Sequence, residues 1–562
     1  MENDEILRPL RLTAQLLELH DENAFKIRSY QNAVIALERV NDNLADLSPA
    51  QLAAIQGVGK SIAGNITAIR EGGSFPELEN LVAKTPEGVL DMLRIKGIGP
   101  KKVRTLWREL AVETTDALFQ ACEENRVAQL KGFGEKTQDN IRQALLFSRQ
   151  AAGKLHYAEA ESVAKELLQR LHDAGIQAGP AGQLARKSDI VDALQLLAAA
   201  PSPAAVHGLL DGLPGLRRDD RTSAPFSWRG TLEGSELPLE VLIARPEKFV
   251  NQSFILSAAP AHLRYRDEKG QTLLQIALSG TFEAEEAIYA QAGLPYIIPE
   301  LREGLFEFDL ARAGKLRNLV RNEDLKGILH NHSTYSDGRH TLAEMANYCK
   351  ELGYQYLGIS DHSKSAYYAG GLTEEFVAKQ HREVDELNGQ LAPFRIFKGI
   401  ESDILNDGSL DYDDGVLASF DFIVASVHSN LKMDEAKATA RLIKAVENPY
   451  TTILGHPTGR LLLRREGYPI DHEKVIDACA ANEVIIEINA NPWRLDIDWH
   501  WLPYALNKGV LISINPDAHE KAGYHNMQYG VHVARKGGLP ADMTFNAWPL
   551  ERVEAYLKAK KG

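Results

Sequence analysis

"GILHNHSTYSDG", residues 327–338, begins as a short apolar run and ends in polar residues, with His330 and His332 one residue apart and Asp337 close behind. The same form recurs in six later runs: "YLGISDH" (356–362), "RIFKGIESDI" (395–404), "DFIVASVH" (421–428), "TTILGH" (451–456), "EVIIEINAN" (483–491) and "VLISINPDAH" (510–519). Helical patterns such as "TLAEMANYCKELG" (341–353) and "EKVIDACAANE" (473–483) separate several of them. Apolar, β-branched runs alternating with helices predict a parallel α/β arrangement, and seven of them predict a seven-stranded α/β barrel over residues 327–562. In such barrels the active face lies at the carboxyl ends of the strands.

Polar residues of one chemical kind gather at those ends. Side chains at i and i+2 of a strand share a face, so His330 and His332 can act together. The other strand ends carry His362, Glu401, His428, His456, Asp517 and His519. With Asp337 these make nine candidate metal ligands, six of them drawn from the 17 histidines of the chain. Any one of them is as readily a satisfied core residue; chance does not account for the set. Nine ligands exceed the needs of one ion and predict two or three. Mixed imidazole and carboxylate ligation fits Zn²⁺, Mn²⁺ or Fe²⁺ without choosing among them. Three such ions against three carboxylates leave a charge of about +3, which attracts phosphate. A bound ion can also lower the pKa of water from about 16 toward about 7. The expected chemistry is hydrolysis of a phosphoester by hydroxide. Arg460, in "GHPTGR" (455–460), is the expected catalytic residue, gripping phosphate oxygens bidentately, with a structural ion pair as its competing role.

Residues 1–150 read as helices joined by short glycine turns. "IQGVGKSIAGNI" from Ile55, "IKGIGPKKVRTL" from Ile95 and "LKGFGEKTQDNI" from Leu130 share one form, apolar-x-Gly-apolar-Gly followed by a helical pattern. The free N–H groups and dipole of each following helix suit a phosphate. The three pieces resemble helix-hairpin-helix DNA-binding motifs. Gly57, Gly59, Lys60, Gly97, Gly99, Lys101, Lys102, Gly132 and Gly134 are the expected DNA-contacting residues. "RIKGIGPKKVRTLWR" (94–108) adds six basic residues and no acidic one. A solvated helix face is the plain alternative; beside phosphate-binding turns, contact with the DNA backbone is favoured.

Composition bounds the rest. A chain of 562 residues is too long for one core, and 44% hydrophobic with 25% charged residues is ordinary for a soluble protein. No apolar run is long enough to span a membrane, and the acidic opening "MENDEILRPL" is unlike a signal peptide. Three scattered cysteines, Cys122, Cys349 and Cys479, fit a reducing cytoplasm and argue against a disulfide framework or thiolate zinc site. A net charge of −14 excludes a uniformly basic nucleic-acid binder but leaves room for a local patch. Between the two ends, residues 151–315 mix helix and strand. "AESVAKELLQRLHDAG" (160–175) predicts an amphipathic helix, "LPLEVLIA" (237–244) and "PYIIP" (295–299) predict strands, and "LRNLVRNEDLK" (316–326) predicts a charged connection.

The nine strand-end residues resemble the PHP (polymerase and histidinol phosphatase) family of metal-dependent phosphoesterases, with every ligand position filled. Over the whole chain, "AFKIRSYQNAVIALERV" (24–40), the three hairpins, "GLPYIIPELREG" (293–304) and "HPTGRLLLRREGY" (456–468) resemble bacterial family X DNA polymerases that end in a PHP domain. The resemblance implies three domains. Residues 1–150 form a helix-hairpin-helix region, residues 151–315 an α+β nucleotidyltransferase-like palm and thumb, and residues 327–562 the PHP barrel. It implies a DNA repair enzyme that acts, as a monomer, on gapped or nicked duplexes, trimming 3′ ends as a 3′–5′ exonuclease.

The palm departs from the family pattern of Gly-Ser, paired arginines and Asp-x-Asp on a strand. In "AGQLARKSDIVDALQLLAAA" (181–200), Gln183 follows Gly182 and Ala185-Arg186 replaces the arginine pair. The nearest acids are Asp189 and Asp192, whose spacing sends them to opposite faces of a strand. Glu240 stands for the third Asp, and "FILSAAPAHLRYR" (254–266) lacks a second Gly-Ser. Asn65 stands where the family's lyase lysine is expected. A degenerate palm site of Asp189, Asp192 and Glu240, without Mg²⁺ and without polymerase activity, is the expectation. A working gap-filling polymerase, a small-molecule phosphatase and a silent DNA-binding scaffold are the alternatives.

Overall fold

The computed structural model describes residues 1, 3–40, 42–95 and 97–561, the side chain of Gln150 aside. One of the six basic residues counted above, Lys96, lies outside the described residues. The chain divides into two compact units, Met1–Ala151 and Ala152–Gly562, so the middle region and the barrel belong to one unit.

In the first unit the three glycine turns are congruent. Gly57, Gly97 and Gly132 have φ of 96°, 94° and 85°, a region that only glycine enters without cost. Each turn closes with the same backbone bond: Val58 N to Ile55 O at 2.9 Å, Ile98 N to Ile95 O at 3.4 Å, Phe133 N to Leu130 O at 3.0 Å. The second glycine then opens a helix. Gly59 caps Lys60–Gly72 and Gly99 caps Pro100–Leu110, both without a side-chain cap. Ile62, Ile66, Ile69, Val103 and Leu106 are buried on the inner helix faces, in one core with Ile6, Leu10 and Leu37.

The second unit holds two main sheets. The mixed sheet has the order Gln177–Pro180, Leu194–Ala199, Pro238–Ala244, Ser227–Leu232, Leu216–Arg218. Helix Tyr157–Asp173 buries Ala160, Ala164, Leu167 and Leu171 with it. "PYIIP" is not a strand: Pro295–Ile298 is irregular and Pro299–Leu301 is a 3₁₀ turn. Its prolines remove ladder donors, which explains why an apolar run failed to pair. Short helices such as Phe249–Leu256 and Glu285–Gln291 form a further core with Phe254, Ile276 and Tyr289.

All seven predicted runs form strands in a parallel sheet in chain order: Gly327–Ile328, Tyr356–Ile359, Arg395–Asp403, Phe422–Ser426, Ile453–Leu454, Ile485–Asn489 and Ile512–Asn515. The ends of the sheet meet through a parallel bridge between Asn331 and Ala518, with His332 N donating to Ala518 O at 2.8 Å. The sheet is therefore a nearly closed barrel. Alternation explains how one barrel carries both core and site. Tyr356, Phe397, Phe422, Val424, Ile453 and Ile485 form one apolar cluster with Phe545 and Trp548. The intervening strand residues, such as Ile396, Ile400, Ile423 and Ile486, pack with the helices in another. Gly358 and Gly399 make room for the Phe422 ring, which a Cβ at either would meet at 2.6 or 2.2 Å. Further along the same alternation, past this apolar plug, stand Glu401, His428 and Glu487.

Candidate metal centre

Glu401 occupies the middle of the barrel's polar end. Its Oε1 lies 3.0 Å from His456 Nε2, 3.2 Å from His428 Nε2 and 3.2 Å from His330 Nε2. Its Oε2 lies 3.0 Å from His362 Nδ1 and 3.6 Å from His332 Nε2. Asp517 Oδ1 is 3.2 Å from His332 Nε2, and Asp337 Oδ1 is 3.4 Å from His519 Nε2. The structure thus brings together all nine residues read from the strand ends. Three subsets place one atom each within ligating range: His332, Asp337, His362 and His519; His330, His332 and Asp517; His362, Glu401 and His428. His456 adjoins them through Glu401. The centre is walled on most sides, since His330, His332, Glu401 and His456 are buried, and opens at Asp337 and His519, whose side chains are 34% and 39% exposed.

The donor set fits a group with positive charge. His330 Nε2, His332 Nδ1, His362 Nδ1, His456 Nδ1 and Glu401 Oε2 are buried without a hydrogen-bond partner. Buried polar atoms left unpaired are costly, and five on the residues of one cluster call for a further partner. Backing carboxylates orient two of the rings. Glu487 Oε2 holds His330 Nδ1 at 2.6 Å and Asp403 Oδ1 holds His428 Nδ1 at 2.5 Å, which turns each Nε2 inward. His519 Nδ1 is similarly 3.1 Å from the Asp517 carbonyl. Two ligand positions have strained backbones, His456 with φ of 23° and Asp517 with φ of 51°.

Electrostatics divides the histidines. Burial opposes charge on His428, but Glu401 and Asp403 outweigh it and push its pKa up to about 10. Burial also opposes charge on His519, yet Asp337 and Asp517 push it up to about 9. His330 is raised well above its ordinary value against burial by Glu487, Glu401 and Asp517. His332 goes the other way: burial, with His519 and His362 beside it, pushes it down to about 3. Burial works to raise Glu401 and Asp517, but the surrounding imidazoles hold both well below the usual carboxylate range.

The sequence reading missed the supporting groups. Glu487 and Asp403 face inward at i+2 spacings from ordinary strand positions, so a same-face rule applied to "IESD" would have found Asp403 beside Glu401. Asp361 accepts from Ser333 N at 2.8 Å and Ser336 Oγ at 2.6 Å, which fixes the turn carrying Asp337. Arg494 Nε lies 3.5 Å from Asp517 Oδ2, at the edge of the centre. It follows a strand end in "NPWR" and carries no periodic signal.

Arg460 lies among protein partners. Its Nη1 donates to Asp498 Oδ2 at 2.6 Å, its Nη2 to Asp189 Oδ2 at 2.9 Å and to the Leu495 carbonyl, and its Nε to the Arg494 carbonyl at 2.8 Å. With four guanidinium hydrogen bonds made, Arg460 has the partners of the structural ion pair that was its competing role.

The three palm acids do not converge. Asp189 is turned to Arg460 on the barrel side. Asp192 accepts from Gln183 Nε2 at 3.0 Å and lies 3.4 Å from Lys154 Nζ. Neither joins Glu240, whose register partner on Leu194–Ala199 is Gln195. Gln195 Nε2 donates to Glu240 Oε2 at 2.8 Å and Arg229 Nε to Oε1 at 2.7 Å. The three expected palm carboxylates therefore go to three different places. A spacing rule anchored on the nearest acids misassigned the strand, because the residue facing Glu240 is not acidic.

In the first unit, Gly59, Gly97, Gly99, Gly132 and Gly134 open onto free space, and Lys60 and Lys101 are exposed. Lys102 Nζ sits 5.7 Å above the Phe133 ring, which joins the second hairpin to the third. Asn65 Nδ2 donates to Tyr30 OH at 2.7 Å, and Tyr30 OH donates to Glu77 at 2.6 Å.

Three family patterns match the chain: a helix-hairpin-helix domain over residues 1–75, a SAM-like helix-hairpin-helix tandem over residues 89–145, and a PHP domain over residues 329–491. The DNA polymerase/3′-5′ exonuclease PolX of Bacillus subtilis (strain 168) is 34% identical over 99% of this chain and 100% of its own length. A probable phosphatase of Thermoanaerobacter sp. (strain X514) is 28% identical over 42% of this chain and 97% of its own. One of Acetivibrio thermocellus is 26% identical over 41% and 95%. The chain belongs to the PolX family of DNA polymerase/3′-5′ exonucleases with a carboxyl-terminal PHP domain. The helix-hairpin-helix matches imply DNA binding.

Proposed function

We propose that this PolX-family chain removes nucleotides from DNA 3′ ends at the barrel centre and that its palm does not polymerise. The observation that carries the hydrolytic reading is the set of buried ligand-residue atoms without hydrogen-bond partners, one on Glu401 and one on each of His330, His332, His362 and His456. His330, His332, Asp337, His362, Glu401, His428, His456, Asp517 and His519 would hold two or three divalent ions, of Zn²⁺, Mn²⁺ or Fe²⁺ character. Such ions would supply Lewis-acid charge and a hydroxide nucleophile near neutral pH.

The residues of the chain do the rest. Glu487 and Asp403 keep the His330 and His428 rings aimed inward. The buried walls exclude water, while the opening at Asp337 and His519 admits a strand end. Arg494 stands at the rim with a guanidinium for a phosphate oxygen. The reaction so supported would be hydrolysis of the terminal P–O3′ bond, with water's oxygen ending on phosphorus and its proton on O3′. Its products would be a nucleoside 5′-monophosphate and a shortened strand with a 3′ hydroxyl.

The palm reading rests on the dispersal of Asp189, Asp192 and Glu240. The strand position facing Glu240 holds Gln195, and Ala193 stands two residues before it, so no acidic pair lies beside Glu240. Two-ion phosphoryl transfer needs accurately placed carboxylates, and an amide bonded to a carboxylate beside a guanidinium does not provide them.

Gapped or nicked duplexes with 3′ ends are the proposed substrates, bound by a monomer. Among the described residues no helix is long and apolar enough to cross a membrane. The three cysteines are buried and free, which supports a cytoplasmic location. The hairpin glycines and Lys60, Lys101 and Lys102 would contact DNA phosphates. Changing Lys101 and Lys102 to Ala should lower the slope of log affinity against log salt by about one to two units, and an unchanged slope would place the DNA elsewhere. Small phosphomonoesters are the second reading, favoured by the probable phosphatases that match the barrel alone. Metal analysis together with degradation of a 3′-labelled gapped duplex tests the main reading. Fewer than two ions per active chain, or activity on sugar phosphates but not on DNA, would overturn it.

A further inference from the structure

We propose that Tyr367 and Tyr368 form a stacking platform beside the metal centre for the last base of a DNA strand, so that the enzyme grips an unpaired 3′ terminal nucleotide. The proposal rests on the hydrolytic reading of the barrel.

Both rings stand in water, at 88% and 73% exposure. An aromatic ring left in water forgoes a large burial energy, so two adjacent ones call for an explanation. Loose chain is not the explanation, because the segment is fastened at both ends to the strands that build the centre. Leu372 N donates to the His362 carbonyl at 2.8 Å, and Ser363 bridges to Leu372. Asp403 N donates to Ser363 Oγ at 2.9 Å, and Ser365 N donates to Asp411 Oδ2 at 2.6 Å. Between these ties Ala366 and Ala369 are buried, and Tyr367–Ala369 makes one 3₁₀ turn. The small residues anchor the turn inward, which leaves the two tyrosines no inward place.

Position names the occupant. The Tyr368 ring centroid is 6.1 Å from that of His362, which itself lies 3.0 Å from Glu401. A base lying on the Tyr368 ring would leave its own phosphate within reach of the centre. The platform is uncharged, so it suits the face of a base rather than a second phosphate. Every base has such a face, and stacking on aromatic side chains is tolerant of sequence. A base inside a duplex is already stacked and must be freed first, so the platform favours single-stranded or frayed 3′ ends.

The test uses the full chain with Mn²⁺ and two single-stranded oligonucleotides, one ending in adenosine and one in an abasic residue. Tyr367→Ala with Tyr368→Ala should raise KM on the adenosine end about tenfold, the scale expected for one stacked base, with metal content unchanged. On the abasic end the double change should cost less than about twofold, since no base is present to lose. Tyr368→Phe with Tyr367→Phe should restore the adenosine KM, because stacking needs the ring and not the hydroxyl. Quenching of 2-aminopurine at the 3′ terminus on binding should also weaken in the alanine variant. An equal loss on both ends, or no loss on either, overturns the platform while an active parent enzyme keeps the hydrolytic reading. A parent enzyme that degrades a gapped duplex but neither single strand overturns the platform alone, and one that degrades no DNA overturns the hydrolytic reading as well.

Discussion

Glu240 in the palm and Glu401 in the barrel each sit on an interior strand of a sheet in one compact unit, yet they have opposite surroundings. Glu240 has both oxygens satisfied, one by the Gln195 amide and one by the Arg229 guanidinium. Glu401 faces five imidazoles, and its Oε2 and several of their nitrogens are buried without hydrogen-bond partners. A satisfied carboxylate is structure. An unsatisfied one among unsatisfied imidazoles is a cage waiting for positive charge. The difference teaches that acid types in a sequence do not make a site; convergence and unmet bonding capacity do.

The comparison breaks most plainly at the barrel. Changing His330 and His332 to Ala together should lower 3′-end degradation by about three decades or more, the scale of losing main electrostatic parts of a catalytic site. Metal per chain should fall, while duplex binding persists because the hairpins belong to the first unit. Metal entry should also release protons at pH 7 from His428 and His519, whose values near 10 and 9 mean they hold a proton until an ion displaces it. Ion titration in weak buffer reads this release directly, and affinity should fall as pH falls. Full degradation by the double variant would remove the contrast.

From the palm side the contrast predicts silence. Primer extension on a one-nucleotide gap should be undetectable with Mg²⁺ or Mn²⁺, even when the His330/His332 change prevents product loss. Templated extension that vanishes on Glu240→Ala would make the palm a working site.

A third prediction concerns the seam between the two regions. Arg460→Ala leaves Asp189 buried without its cation, a change that typically costs about 3–5 kcal/mol. Thermal unfolding should show a large loss, with degradation by the remaining folded protein largely kept. A protein that melts normally but loses kcat would return Arg460 to the reaction.

Why was the barrel legible and the palm not? Six of the seven apolar runs carry His, Asp or Glu ligand candidates at their polar ends, "EVIIEINAN" (483–491) being the exception, so strand period and ligand chemistry agree along most of the barrel. Nothing comparable marks the palm. Asp189 and Asp192 lie just outside the strand that begins at Leu194, and the decisive residue, Gln195, is a neutral amide that no search for acids selects. Glu487 and Arg494 were hidden for another reason. Glu487 acts through a ring brought from a strand 157 positions away, and only the closed barrel supplies that neighbour. Arg460 had the right type and place in sequence, but its partners Asp189 and Asp498 come from distant segments.

The smallest expected effect is also the most discriminating for the palm. Gln195→Asp replaces a donor by a second carboxylate next to Glu240, approaching the acid pair of a metal-using palm. Arg229 already covers one edge of Glu240, through Nε and Nη2 both at 2.7 Å from Oε1, so the new charge meets a half-neutralised neighbour. The shorter side chain also draws the charges apart. Like charges at this range in a partly exposed sheet should cost about 1 kcal/mol of stability. If the palm kept the outline of an ion site, millimolar Mg²⁺ would bind the folded variant and recover that loss by mass action. Recovery is not expected. Asp189 and Asp192 point to Arg460 and Gln183, so only two carboxylates face the site, and a fixed guanidinium stands beside one of them. Thermal unfolding of the variant with and without Mg²⁺ should therefore give the same slightly lowered midpoint. A midpoint that rises with Mg²⁺ in the variant but not in the parent would show that one amide, rather than the dispersal of three acids, separates the two regions.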